Sequence, residues 1–271
     1  MRSYYNISRQ KLGENARLPL FCFDSSEEVF ETMARDMKEC IIENNKKGKD
    51  TVLICPVGPV GQYAPFTEMV NRERIDLRRV WFFNMDEYLD ENDRYIDVQS
   101  PLSFRGFMER EVYGKINPAL VMPEDQRIFP DPEHPEKTDA LLEQLGGADI
   151  TFGGIGINGH LAFNEPQPGM SCEQFARLGT RVLTISPETR AANAIGDLGG
   201  ALEEMPKRCV TIGMRQILGA KKLRLGVFRD WHRAVCRRAA YGEVSASFPV
   251  TLAQRHKDAR LYVNDVAARE P

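Results

Sequence analysis

Short apolar runs recur along the chain, and stretches of helical periodicity fill the gaps between them. Residues 51–55, 79–83, 149–153, 223–228 and 260–263 read as strands. The first two are apolar at consecutive positions, the pattern of a strand covered on both faces. Residues 25–45 read as a helix, because Ser25 and Glu28 form a capping box and Val29, Met33, Met37 and Ile41 repeat every fourth residue. Further helices are expected over 63–73, 101–114, 138–146 and 230–241, and an ordered loop over 117–137, which holds five prolines. Strands spaced by helices require crossover connections, hence an α/β fold with a mainly parallel sheet covered on both faces. No repeat or linker interrupts the pattern, so residues 1–271 read as a single domain.

At 42% hydrophobic and 28% charged residues, the chain can close an ordinary core. Its net charge of -3 gives no general pull toward nucleic acid or anionic membrane. No apolar run reaches the ~20 residues of a membrane span, and the start lacks the apolar core of a secretory signal. The six cysteines are scattered without zinc or disulfide-scaffold spacing, so the expectation is reduced thiols in a cytoplasmic protein with no metal site.

Ligands of such sheets sit at the carboxyl ends of strands, and three polar or glycine-rich clusters fall there. Pro56-Val57-Gly58-Pro59-Val60-Gly61 is either an ordinary strand-to-helix turn or a loop aiming N–H groups at an anion. It is not a Walker loop, since no Gly-Lys-Ser/Thr follows. Asn84-Met85-Asp86-Glu87-Tyr88 puts two carboxylates directly after a buried strand, suited to a general base or simply to capping a turn. The segment from Gly153 to Pro166 contains Gly154, Gly156 and Gly159 in dinucleotide-loop spacing, but Pro166 and Pro168 leave little room for the helix such a loop needs. His160 lies in this segment between Asn158 and Glu165, and is either a structural histidine or a proton-transfer group.

Asn84-Met85-Asp86-Glu87-Tyr88 together with Gly156-Ile157-Asn158-Gly159-His160-Leu161-Ala162-Phe163-Asn164-Glu165-Pro166 resembles the glucosamine-6-phosphate deaminase (isomerase) family. The resemblance runs from the first helix to about residue 240. The related 6-phosphogluconolactonases have a Gly-His motif without the Phe-Asn-Glu-Pro continuation. The resemblance implies a Rossmann-like three-layer sandwich and a cofactor-free reaction on an amino sugar, with its 6-phosphate the leading substrate. The ring opens, a proton moves from C2 to C1, and the amine leaves as ammonia to give a ketose. Asp86 matches the base of the proton shift, His160 the ring-opening acid/base, Glu165 its partner, and Asn158 the residue orienting His160. Gly58, Val60, Gly61, Glu87, Gly156, Gly159 and Arg233 are the expected substrate-binding residues. The partner is a small molecule, and family members occur as monomers or homo-oligomers.

The chain departs from the family pattern in three places. Asn158 stands where Asp is frequent. Val57, Pro59 and Val60 occupy a phosphate loop that normally offers a hydroxyl and backbone donors, and proline has no N–H. Ile195 replaces an arginine, and Gly179 and Arg181 leave an effector site incomplete. Either Arg233, Arg190, His232 or Arg181 holds the phosphate, or the group at C6 is different. Trp231 and His232 are expected to pack beneath their helix, and residues 167–180 to form a lid. The rival readings are a sugar isomerase without deamination, a lactonase, and a non-catalytic sugar sensor.

Overall fold

The computed structural model describes residues 2–271. Its strands are β1 (Leu20–Cys22), β2 (Thr51–Cys55), β3 (Val80–Asn84), β4 (Asp86–Leu89), β5 (Arg127–Ile128), β6 (Ile150–Gly153), β7 (Arg181–Thr184), β8 (Arg208–Thr211), β9 (Lys222–Val227) and β10 (Ala259–Val263). Its helices are α1 (Ser26–Lys46), α2 (Tyr63–Glu73), α3 (Phe104–Glu111), α4 (Pro135–Gln144), α5 (Cys172–Ala176), α6 (Pro187–Asp197), α7 (Met214–Gly219), α8 (His232–Tyr241) and α9 (Asp265–Ala268).

Seven strands form one sheet in the order β1-β10-β9-β6-β2-β3-β5, each neighbouring pair parallel. Successive side chains of a strand point to opposite faces. Accordingly Val52 and Ile54 pack with α7 and α8 on one side, through Met214, Ile217, Val235 and Cys236. Leu53 and Cys55 pack with α1 and α2 on the other, through Val29, Met33, Met37, Ile41 and Phe66. The three-layer expectation is met. The α1 stripe is the one read from periodicity, and each of its fully buried apolar side chains contributes about 2 kcal/mol. Ser25 accepts from the Glu28 N–H, while the Glu28 carboxylate accepts from the Asp24 N–H, one residue earlier than a strict box.

A second, three-stranded antiparallel sheet, β4-β8-β7, has its own small core of Tyr88, Phe163, Ile185, Ala194, Met205 and Cys209. None of its strands was legible, because β4 carries two acids and β7 and β8 are short with arginine at an end. Several expected elements also change extent. The helix expected over 101–114 spans only Phe104–Glu111, because Ser103 and the Glu87 carboxylate cap its first N–H groups. The expected loop 117–137 holds β5 and the first turn of α4, where Pro135 suits the helix start.

Candidate active site

The carboxyl ends of β2, β3, β6 and β9 open into one cavity of about 560 Å³. Asp86 enters it from the first position of β4, where it pairs with Thr211. Backbone bonds fix this entry: the Met85 N–H donates to the Cys55 carbonyl, and its carbonyl accepts from Ile212. The Asp86 side chain is buried and makes no hydrogen bond among the described residues. Burial, with the Glu87 charge beside it, pushes its pKa well above the ordinary carboxylate range.

His160 lines the same cavity. The Gly156 N–H donates to its carbonyl, and a Cβ on Gly156 would collide with the imidazole, so only glycine lets the ring lie where it does. Its Nδ1 lies 2.8 Å from Asn158 Oδ1 and 3.1 Å from Thr189 Oγ1. The Asn158 amide nitrogen donates to Glu165 at 2.7 Å and faces the hydroxyls of Ser186 and Thr189 at 3.2 and 3.4 Å. That network identifies the amide oxygen as the atom facing the imidazole. His160 therefore carries its proton on Nδ1 and leaves Nε2 unpaired. Burial lowers the His160 pKa, and the Glu165 charge, 3.7 Å from Nδ1, opposes that shift. Glu165 is fixed in turn by the Ser186 N–H and the Thr189 hydroxyl, both at 3.1 Å.

An aromatic wall completes one side: Phe104 and Phe163 lie parallel, their centroids 6.4 Å apart, with Tyr88 against both. The Tyr88 hydroxyl accepts from Asn193, another lining residue. Of the residues singled out from the sequence, Asp86, His160, Gly58, Val60, Gly61 and Gly156 line the cavity, and Asn158 and Glu165 stand behind His160.

Three expected substrate contacts are corrected. Glu87 is fully buried outside the cavity, where its carboxylate accepts from the N–H groups of Tyr88, Phe104 and Arg105 and from the Ser103 hydroxyl. Gly159 does not line the cavity; its φ of +83° makes the turn, and a Cβ there would press on the Phe248 ring. Arg233 turns away to donate to the Val266 carbonyl at 3.2 Å. Trp231 and His232 pack as expected, Trp231 against the core and His232 buried, and both also line the cavity. Residues 167–180, whose position suggests a lid, do not line the cavity; Phe175 is buried in the core, and Thr180 is held by Asp139. The reading from sequence missed Arg229, Asp197, Tyr88 and Phe30 as lining residues. Of these, Tyr88 ends the Asn84–Tyr88 motif and Arg229 lies two residues past β9, both places where a sequence signal existed, whereas Asp197 and Phe30 had none.

A parallel α/β sandwich with a buried carboxylate and an oriented imidazole in one strand-end cavity is the layout of an acid–base enzyme acting on a small polar molecule. Comparison with known proteins makes this class specific. No family model matches the chain. It is 28% identical over 251 residues to a glucosamine-6-phosphate deaminase of Clostridium perfringens, covering 90% of this chain and 95% of the relative. It superposes on a solved monomeric glucosamine-6-phosphate deaminase with a TM-score of 0.79 and 26% identity, covering 92% of this chain and 98% of the other. A 6-phosphogluconolactonase from Trypanosoma cruzi shares the fold, with a TM-score of 0.63, 17% identity, and coverage of 92% and 95%. The chain is thus a divergent relative of the glucosamine-6-phosphate deaminases, and more distantly shares its fold with the lactonases. No helix among the described residues is long and apolar enough to cross a membrane.

Proposed function

We propose that the chain is an amino-sugar phosphate isomerase/deaminase, converting glucosamine-6-phosphate or a close relative and water to a ketose phosphate and ammonia. One observation carries the reading: a partnerless buried carboxylate, Asp86, shares a cavity with His160, whose Nε2 is freed by the Asn158–Glu165 network. His160 Nε2 takes the proton of the anomeric hydroxyl and returns one to the ring oxygen, opening the ring. The Asn158 oxygen and the Glu165 carboxylate stabilise the imidazolium formed in between. Asp86 then removes the C2 proton, made acidic by the C1 carbonyl, and delivers it to C1. As the electron pair left at C2 forms the C1–C2 double bond, the C1 oxygen takes up a proton that the amino group gives up. The nitrogen lone pair then closes a C2–N double bond while the C1–C2 pair takes the proton from Asp86 at C1, leaving an iminium at C2. Water adds there and ammonia departs.

A carboxylate whose pKa is raised by burial is a stronger base than one in water, which suits a carbon acid. The six free thiols support a cytoplasmic setting. The test is ammonia release from glucosamine-6-phosphate, galactosamine-6-phosphate, mannosamine-6-phosphate and the free amino sugars. Turnover of a 6-phosphate that vanishes in Asp86→Asn is the expected result. The absence of ammonia from every 6-phosphate would overturn the reading.

A further inference from the structure

The structure assigns the binding of the substrate's anionic end to Arg229, an inference that rests on the amino-sugar phosphate reading above. The cavity contains the loop at Gly58, Val60 and Gly61, and that loop meets Phe30, which packs edge-on against Phe228 with centroids 5.1 Å apart. Arg229 follows directly. Its strand, β9, lies three places from β3 in the sheet, about 14 Å at one strand spacing each. Arg229 therefore enters the cavity from a strand other than the one that leads to Asp86, and the part of a sugar distant from C1 and C2 is assigned to it.

The cations expected from the sequence to hold a phosphate are engaged elsewhere. Arg233 donates to the Val266 carbonyl, Arg190 to the carbonyls of Pro206, Leu202 and Met205, and Arg181 to Asn164 and the Gly179 carbonyl. His232 is no cation. Its Nδ1 accepts the N–H groups of Phe228 and Arg229 at 3.3 and 2.9 Å, and its Nε2 donates to the Ile155 carbonyl at 2.9 Å. Both ring nitrogens are committed to the neutral form, and burial lowers its pKa to about 3. Its two N–H partners are likewise lost to any anion.

Arg229 is the cation left among the lining residues, and its guanidinium has no hydrogen-bond or ion-pair partner among the described residues. It lies over Gly196 of α6, 2.5 Å from where a Cβ would stand. The preceding residue, Ile195, is 73% exposed and points out to solvent. The helix thus supplies no cation here but leaves a notch for one arriving from the β9 loop. The backbone N–H groups of Gly58, Val60 and Gly61 donate to no protein atom among the described residues, and complete a donor set for a phosphate. Asp197 lines the same cavity and faces Arg229 electrostatically, so its carboxylate competes with the substrate for the guanidinium.

The experiment compares kcat and KM for ammonia release from glucosamine-6-phosphate and glucosamine in wild type, Arg229→Met, Arg229→Lys and Asp197→Asn. A bidentate guanidinium contact is felt equally before and during chemistry, so it acts on KM. In Arg229→Met, KM for the phosphate ester rises about 10- to 100-fold with kcat within a few-fold, while glucosamine is unaffected. Arg229→Lys falls between, and Asp197→Asn lowers KM for the ester. An unchanged KM in Arg229→Met overturns the assignment and leaves the deaminase reading standing, as does a wild type indifferent to the phosphate. If wild type releases no ammonia at all, the failure lies with the reaction. Thermal stabilisation by glucosamine-6-phosphate then decides: its presence in wild type and loss in Arg229→Met upholds Arg229, and its absence from wild type or retention in the variant overturns it.

Discussion

Asn158→Asp restores the carboxylate frequent in the related deaminases, and in this chain it is expected to be strongly destabilising. The amide nitrogen sits 2.7 Å from a Glu165 oxygen as a donor. Replacing it with an oxygen puts two carboxylates at that separation. At an effective dielectric of 20, two full charges so placed repel by about 6 kcal/mol. Taking up one proton at pH 7 by a carboxyl of ordinary pKa near 4 costs only about 4 kcal/mol, and restores a hydrogen bond between the two groups. Proton uptake is the cheaper course, so it caps the loss at about 4 kcal/mol. The introduced carboxyl has a folded pKa above its unfolded one. The loss is therefore absent below pH 4, about 1.4 kcal/mol at pH 5, and about 4 kcal/mol at pH 7. For a chain of this size that corresponds to a Tm lowered by about 8–16 °C at pH 7 and far less at pH 5. Thermal or urea unfolding at the two pH values measures it. Equal stability of variant and wild type at pH 7, in a variant whose His160 is shown to stay neutral by NMR titration, would refute the orientation of the amide, and with it the tautomer assigned to His160.

Asp86→Asn is expected to lower turnover at least 1,000-fold while leaving stability at pH 8 equal or higher, because it removes a charge that folding buries without a hydrogen bond; ammonia assays and melting curves read both. The acid limb of kcat/KM is expected at a pKa above the ordinary carboxylate value, since Asp86 must be ionised and burial raises it, and the same limb is expected in the residual activity of His160→Gln. A limb at or below pH 4 would remove Asp86 from the base role. Glu87→Ala is expected to cost about 3 kcal/mol in denaturant unfolding, because four donors lose their acceptor, with KM little changed. Gly156→Ala drives a methyl into the His160 ring and is expected to reduce kcat over 100-fold with a smaller change in Tm.

The main sheet was legible because β2, β3 and β6 are buried on both faces and carry the apolar residues to show it. Asp86 and His160 were legible as polar residues stranded just past such runs. The small sheet was not, since Asp86 and Glu87 conceal a strand behind two charges that look like a loop. Glu87 was misjudged for the same reason: its neighbour's role was extended to it, although consecutive residues of a strand face opposite ways. Arg229 lies before the helix in either case and escaped because the cation of this loop was assigned to Arg233, which the helix starting at His232 carries round to α9. The Asn158 network joins residues up to 31 apart in sequence, and local pattern has no means of announcing it.

The small sheet has a further consequence for how the protein breathes. Its core is six buried residues, against the far larger clusters on either side of the main sheet, so opening it exposes little apolar surface. Amide hydrogens of β4, β7 and β8 should then exchange with solvent through a partial unfolding that leaves β2 and β6 protected. Asp86 hangs from this unit at the head of β4, whereas the Gly58–Gly61 turn belongs to the main sheet. A molecule that touches both must hold them closed, and its binding free energy adds to the cost of opening. Occupancy of the cavity would be written in the exchange rates of three short strands while the main sheet stays silent.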